Sequence, residues 1–263
     1  MAEPIGARLL GAAAPLYPMA VLAAAWELLA RSGLVSERLM PSLQRIFGAL
    51  YTELLSGQII YHAGISVARA LSGFGLAIVV GVLLGVWMAR SRIFEALVEP
   101  IFSFGYPVPK IALYPLFILA LGFGSPSKVA LIFLECLFPI ALNSYFGIRA
   151  VDRKYLWSAA NTGASRTRTF FQVLVPAAAP AIFSGIRVAL PISLVVVILT
   201  EMIGDSSGLG YFISYSTASF TYDLAYAGIF SIACVGFVLD RSLVFLRNRI
   251  VFWERSGSAP LSQ

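Results

Sequence analysis

The sequence predicts an all-α membrane protein with about six transmembrane helices, because its charged residues are few and its apolar runs are long. Of the 263 residues, 59% are hydrophobic and only 12% are charged, about half of the roughly 25% that soluble domains carry. Several apolar runs reach the ~20 residues that a helix needs to cross the hydrocarbon core of a lipid bilayer. A soluble globular core is therefore the less favoured interpretation.

The predicted spans are separated by short polar segments, with one longer polar region after the first span. That region contains an amphipathic stretch at residues 43–55, which we expect to lie as a helix at the membrane surface. The first apolar run is longer than the apolar part of a signal peptide, which favours an uncleaved helix. Prolines at 107, 109 and 115 interrupt the third span, and such breaks often line a cavity. The spans are residues 9–29, 65–88, 101–124, 129–148, 181–203 and 224–246.

Small residues recur at every fourth position of the second span. Residues at this spacing share one face of a helix, and small side chains let helix backbones approach closely in lipid. We therefore interpret this stripe as a helix-packing surface formed by Gly73, Ala77, Gly81 and Gly85.

Lysine and arginine are unevenly divided between the two sides of the predicted bundle. Most of them fall on the side that holds both termini and the segment after the fourth span. Because cytoplasmic loops carry the excess of positive charge, we expect both termini and that segment in the cytoplasm, with the chain in the cell inner membrane.

Ionisable groups at bilayer depth are functional candidates by default. Arg69, Lys110 and Arg187 stand near predicted span ends, where long side chains can reach the interface, so we expect them to be solvated there. Glu201 either faces water at the outer end of the fifth span or takes part in gating. The candidate pathway or gating residues are Asn143, Glu135 and Glu201.

Several function classes are excluded or disfavoured. The only lysines are Lys110, Lys128 and Lys154, and none follows a glycine, so the chain has no P-loop. Energy for active transport would then come from a partner or an ion gradient. With a single histidine, His62, and two cysteines in separate apolar runs, the sequence predicts no metal site, no disulfide and no catalytic residues. The dispersed positive charge predicts no nucleic-acid binding.

The segment from 156 to 180 interrupts the apolar second half with an organised pattern. A Gly-Ala-Ser turn at Gly163, Ala164 and Ser165 is followed by two arginines, two phenylalanines and Pro176. Glycine accepts the left-handed conformation that ends many helices. We therefore expect a helix, a turn at Gly163 and a second helix, with Phe170 and Phe171 on an apolar docking face.

These residues resemble the membrane subunits of ATP-binding cassette importers of the nitrate, sulfonate and taurine group. That family has a cytoplasmic loop with Glu-Ala-Ala, a later Gly, and a closing Ile-x-Leu-Pro. Here Gly163 matches the glycine, Val173 and Val175 stand at the Ile and Leu positions, and Pro176 matches the proline. Trp157, Ser158 and Ala159 stand at the first three positions, so tryptophan replaces the usual acid. The segments 25–35, 107–124, 142–151, 184–190 and 200–211 also resemble family segments in the right order.

The resemblance implies a type I importer permease fold with a cytoplasmic coupling helix, and no catalysis by this chain. It implies a second copy of the chain, two ATPase subunits that bind ATP with Mg, and a periplasmic or lipid-anchored substrate-binding protein. This chain would bind no cofactor itself. We expect Trp157 to contact the ATPase through its apolar ring. The residues expected to couple to the ATPase are Trp157, Ser158, Ala159, Gly163, Ala164, Ser165, Phe170 and Pro176.

We expect three regions: residues 1–62 as the first span with an interfacial segment, 63–247 as the permease domain with a coupling loop at 152–178, and 248–263 as a tail. An ion-coupled secondary transporter stays open as an alternative, although no internal repeat is evident; a membrane-embedded enzyme is disfavoured. The family implies a nitrate-, sulfonate- or taurine-like solute, with a pyrimidine-type vitamin precursor as the alternative. No cation is placed clearly at mid-membrane, so an anionic solute comes from the resemblance alone.

Overall fold

The computed structural model describes residues 17–253, and every regular element in that range is helical. A 3₁₀ turn spans Lys110–Leu113, and a π-helical turn spans Phe170–Leu174. The helices are α1 (Tyr17–Arg31), α2 (Leu43–Leu55), α3 (Gln58–Arg90), α4 (Arg92–Gly105), α5 (Tyr114–Leu121), α6 (Ser125–Arg149), α7 (Arg153–Asn161), α8 (Arg166–Thr169), α9 (Val175–Met202), α10 (Leu209–Ala218) and α11 (Tyr222–Ile250).

Four helical segments in the described part of the chain are long and apolar enough to cross a membrane: α3, α6, α11 and the continuous stretch Arg166–Met202 that ends with α9. A fifth span results if α4 and the stretch Lys110–Leu121 are taken together, although the two are bent by 89°. The chain is thus an all-α multi-pass membrane protein. The predicted first span at 9–29 lies partly outside the described residues, which include only the part from Tyr17 onward.

Two of the predicted spans differ from the observed helices in their bounds. α3 begins at Gln58 rather than 65, so the predicted boundary at residue 62 falls inside it. The third span is interrupted as predicted at residues 106–109, which include Pro107 and Pro109. Pro115 does not break it further, because this proline lies in the first turn of α5, where its missing N–H costs nothing. α2 has the bounds that its amphipathic pattern predicts.

The helix pair α3 and α6 forms the centre of the bundle, together with α9. The small residues of α3 lie against α6, and at Gly73 and Gly85 there is no room for a side chain. A Cβ atom added to Gly73 would lie 2.7 Å from the side chain of Ile132, and one added to Gly85 would collide with the Ala141 carbonyl oxygen. Backbones this close gain dispersion contacts that replace the hydrophobic effect in lipid.

A buried polar cluster joins the three central helices at one end of the bundle. The opposite end carries residues 152–178, and we call the two ends the far end and the connection end. In this far-end cluster, the Arg69 guanidinium of α3 donates to Glu201 of α9 at 2.9 Å and to Asp205 at 2.8 Å. Lys128 of α6 forms an ion pair with Asp205 at 3.0 Å. Two cations thus meet two carboxylates, and the formal charges cancel.

Neutral groups complete the far-end cluster and hold the segment that leads into α10. Ser66 donates to Glu201 at 2.7 Å and accepts from the Leu209 backbone N–H at 2.8 Å. His62 Nδ1 accepts from the Gly208 N–H at 3.1 Å. Gly208 has φ of +102°, and a Cβ atom there would collide with the Glu201 carboxylate. The chain can therefore cross over Glu201 only with glycine at this position.

We expect Glu201→Gln to lower the free energy of unfolding by about 3–5 kcal/mol, because removing one partner leaves buried charge unbalanced. The matched control is Asp240→Asn, whose partner Arg187 is 55% exposed; loss of such an exposed pair costs about 0–1 kcal/mol. Thermal unfolding of the purified protein in detergent would measure both. Equal melting temperatures for the two variants would contradict a stabilising role for the far-end cluster.

Candidate functional site

The connection between α6 and α9 begins with the exposed helix α7. Asp152 caps this helix, with its carboxylate accepting from the Lys154 backbone N–H at 2.9 Å. That hydrogen bond and the neighbouring Lys154 ammonium lower the pKa of Asp152. The same ion pair raises the pKa of Lys154. Both groups are therefore charged near neutral pH, and they fix where the chain turns out of α6.

A left-handed glycine ends α7, as the sequence predicts. Gly163 has φ of +72°, and its N–H donates to the Ala160 carbonyl at 3.0 Å. The Ala164 N–H donates to the Ala159 carbonyl at 3.1 Å. Nothing lies within 4 Å of the place where a Gly163 side chain would begin. The backbone angle, rather than lack of space, is therefore what requires glycine here.

The second half of the connection runs directly into the membrane-spanning helix α9. Ser165 caps α8, accepting from the Arg168 N–H at 3.3 Å. A π-helical turn then covers Phe170–Leu174, and the Val175 N–H donates to the Phe170 carbonyl. Pro176 has no N–H to continue the ordinary α-helical pattern. α8, the π turn and α9 form one continuous helical stretch, Arg166–Met202.

The two phenylalanines of the connection point in different directions. Phe171 is 64% exposed, whereas Phe170 is half-buried beneath the Arg90 guanidinium, which lies 4.5 Å from the ring centroid. Arg90 is the last residue of α3, so this cation–π contact fastens the connection to a second membrane-spanning helix. Of the two rings, only Phe171 has the exposure that the predicted docking face requires.

The other predicted coupling residues also include both exposed and buried side chains. Trp157 is 66% exposed and Ser158 is exposed beside it. Ala159 is buried, and its carbonyl accepts from Thr162 and Ala164. The structure thus gives Ala159 a place inside the turn and leaves the ring of Trp157 on the outer face of α7.

The candidate pathway residues do not form one group. Asn143 is half-buried where α6 crosses α9; its amide donates to the Pro139 carbonyl at 2.8 Å, and a Cβ atom on Gly185 would lie 2.6 Å from it. Glu201 is 1% exposed within the far-end cluster, so the interpretation that it faces water is wrong. Glu135 is 19% exposed and pairs with Lys110 at 3.8 Å.

The expectation that three cations reach the membrane interface is wrong for two of them. Arg69 and Lys110 are buried, at 8% and 6% exposure, because each has a carboxylate partner within the protein. Arg187 is exposed and bonds Asp240. The far-end cluster had one signal in the sequence: His62, Ser66 and Arg69 stand at positions i, i+4 and i+7 and so share a helix face.

The known proteins that resemble this chain and are described below are all named as transport permeases. Residues 77–252 match the family described as binding-protein-dependent transport system inner membrane component. The chain is 33% identical to the aliphatic sulfonates transport permease protein SsuC of Bacillus subtilis (strain 168), covering 90% of this chain and 86% of that relative. It is 28% identical to the taurine transport system permease protein TauC of Escherichia coli (strain K12), over 90% and 88%. It is 30% identical to the formylaminopyrimidine transport permease protein ThiX of Halalkalibacterium halodurans, over 88% and 91%.

Solved structures of transporters show the same fold at low identity. An inward-facing MetNI methionine ABC transporter aligns with TM-score 0.54 and 18% identity, covering 71% of this chain and 91% of that one. An amino acid ABC transporter with histidines aligns with TM-score 0.56 and 19% identity, covering 77% and 96%. Together with the family match over residues 77–252, this places the chain in the type I ABC importer permease fold, and it belongs to the family of binding-protein-dependent transport inner-membrane components.

Proposed function

We propose that this chain is the membrane subunit of an ATP-driven importer and that residues 152–178 couple it to a separate ATPase subunit. The observation that carries the proposal is the construction of this connection. It presents an exposed helix and turn at one end of the bundle, yet it is fastened to α9 by continuous helix and to α3 by Arg90 and Phe170. A force applied to the exposed part reaches two of the three central helices.

The proposed partners follow from the family to which the chain belongs. Two ATPase subunits bind ATP with Mg, a second copy of this chain completes the pathway, and an external binding protein delivers the solute. The chain lies in the cell inner membrane with the connection in the cytoplasm, where it meets the ATPase. Relatives named for sulfonate, taurine and formylaminopyrimidine transport support a small polar solute.

The deeply buried carboxylate Glu201 does not suit the role of coupling group in an ion-coupled secondary transporter. Such a transporter needs an ionisable group that exchanges its ion or proton with water during each cycle. Glu201, the most deeply buried carboxylate in the described part of the chain, is held by Arg69, Ser66 and the Gly210 N–H. A carboxylate so fully bonded is poorly placed to exchange a proton.

We expect Gly163→Val to uncouple ATP hydrolysis from uptake, because valine is strained at φ of +72° and the turn would rearrange. The cost of the left-handed conformation for such a residue is about 1–2 kcal/mol. Gly163→Asn is the matched control, since asparagine adds a side chain but tolerates this conformation. Uptake and ATPase activity of the reconstituted complex are the measurements. Normal uptake by the valine variant would remove the turn from the coupling mechanism.

We expect Trp157→Glu to weaken assembly with the ATPase, because the exposed ring would otherwise bury apolar area in the partner. Loss of an aromatic anchor at an interface costs about 2 kcal/mol or more, roughly thirtyfold in affinity. Tyr155→Glu is the control: Tyr155 is also exposed but stands on the opposite side of α7. Co-purification and binding affinity report assembly. Unchanged or tighter assembly in Trp157→Glu would show that no apolar contact is needed at this position.

A further inference from the structure

We propose that an anionic phospholipid of the cytoplasmic leaflet binds where α3 meets the connection between α6 and α9. Its phosphate lies between Arg90 and Arg166, and one of its acyl chains lies along α3. The choice of leaflet rests on the proposed function, which puts the connection in the cytoplasm. The lipid is a bound structural ligand and not the transported solute.

A basic cavity of about 320 Å³ lies between the end of α3 and the connection. Its volume falls within the roughly 300–1,000 Å³ of small-molecule sites. Arg90 and Arg166 both line it, and none of the acidic residues between positions 17 and 253 does. The uncharged lining residues are Leu156, Ala160, Ala164, Thr169, Phe170 and Leu174. The lining therefore carries two positive charges and fits an anion.

The two arginines of this basic cavity are not neutralised by the protein. Both are exposed, and neither pairs with an acidic side chain within residues 17–253. Arg149, at the same end of the bundle, is by contrast paired with Glu95. Two unpaired cations lining one cavity repel each other, and an anion between them removes that repulsion.

Both arginines stand where they can bond a phosphate. The Arg90 guanidinium lies over the ring of Phe170, and a stacked guanidinium still donates from its planar edge. Arg166 is the first residue of the helical stretch Arg166–Met202, and the positive end of a helix dipole also favours a nearby anion. A phosphate bonded to both side chains would join α3 to that helical stretch.

An apolar groove of about 520 Å³ leads from the basic cavity along α3. The groove and the cavity share Arg90 and Phe170. Ten residues separate Val80 from Arg90, a rise of about 15 Å, which is half of a hydrocarbon core about 30 Å thick. The groove thus has the depth of one leaflet. Its other lining residues are Val80, Leu83, Leu84, Val86 and Trp87.

The order of side chains along α3 matches the order of groups in a phospholipid. Trp87 is 59% exposed, one turn before Arg90, and tryptophan is enriched at the membrane–water interface. Apolar residues precede it and the cation follows it, as acyl chain and phosphate lie on either side of that interface. Basic pockets between membrane helices on the cytoplasmic side bind anionic headgroups. Free phosphate would occupy only the basic cavity, whereas a phospholipid fills the groove as well.

The fluorescence of Trp87 reports binding in the groove. The purified full-length chain is placed in phosphatidylcholine nanodiscs that contain increasing fractions of phosphatidylglycerol with brominated acyl chains, which quench tryptophan on contact. The difference between the unmodified chain and Trp87→Phe isolates the signal of this one side chain. Brominated phosphatidylcholine in unbrominated phosphatidylcholine gives the reference without a net headgroup charge.

We expect phosphatidylglycerol to quench Trp87 at lower fractions than phosphatidylcholine does. Arg166→Gln should lower this preference about fivefold, because a basic residue at the membrane surface is worth about that factor. Arg168→Gln is the matched control: Arg168 is also exposed on α8, but it bonds Gln172 and does not line the basic cavity. It should leave the preference within about twofold, because exposed charges outside the site are screened by salt.

Melting temperatures in the same nanodiscs confirm that the compared variants are folded. Equal losses of preference in Arg166→Gln and Arg168→Gln would show a general effect of surface charge and would contradict a site. Equal quenching by the two lipids would show that the groove holds acyl chains without recognising a headgroup, which would also overturn the inference.

Two additions to the nanodiscs test for other occupants. Loss of the preference in millimolar inorganic phosphate would show that the basic cavity takes a soluble anion instead of a lipid. Its loss when the ATPase subunit is added would show that protein covers the cavity. Either result would overturn the inference. Because the binding measurement itself needs no ATPase, its failure leaves the proposed importer function intact, and a failure of ATP-driven uptake leaves the lipid preference intact.

Discussion

The ion pair between Arg69 and Glu201 is the interaction on which the arrangement of this bundle depends. A guanidinium and a carboxylate so deeply buried are stable only when each is bonded on all sides. The bonds come from α3, α9, the segment after α9 and, through Asp205 and Lys128, from α6. These elements therefore keep one arrangement at the far end. The tight α3–α6 contact at Gly73 and Gly85 extends the same rigid unit along the bundle.

In the proposed mechanism, a unit fixed at the far end would move as a body when its other end is displaced. At the connection end, the exposed helix α7 and the turn at Gly163 stand outside the bundle, while Phe170 lies beneath Arg90 and the π turn continues into α9. The contacts of the connection thus reach the same helices that the far-end cluster joins. This division between a bonded far end and an exposed connection is the arrangement that the proposed coupling to an ATPase subunit would use.

The sequence predicts those structural features that depend only on residues close together in the chain. The amphipathic stretch at 43–55 forms α2, and the glycine at 163 ends α7 in the left-handed conformation. The partners of buried charges depend on distant residues, and the sequence alone therefore places Arg69 and Lys110 at the interface, although both are buried. The bend before α5 falls at the predicted prolines 107 and 109, whereas Pro115 fits the start of a helix. The i, i+4, i+7 spacing of His62, Ser66 and Arg69 was the available signal for the far-end cluster.

Transport energised by a partner is tested most directly by solute accumulation in proteoliposomes. Vesicles containing this chain together with its ATPase and binding protein should concentrate solute against its gradient only when ATP is supplied. Vesicles containing the chain alone should not concentrate it, whether or not a proton or sodium gradient is imposed. Accumulation by the chain alone under an ion gradient would contradict the account and establish an ion-coupled transporter instead.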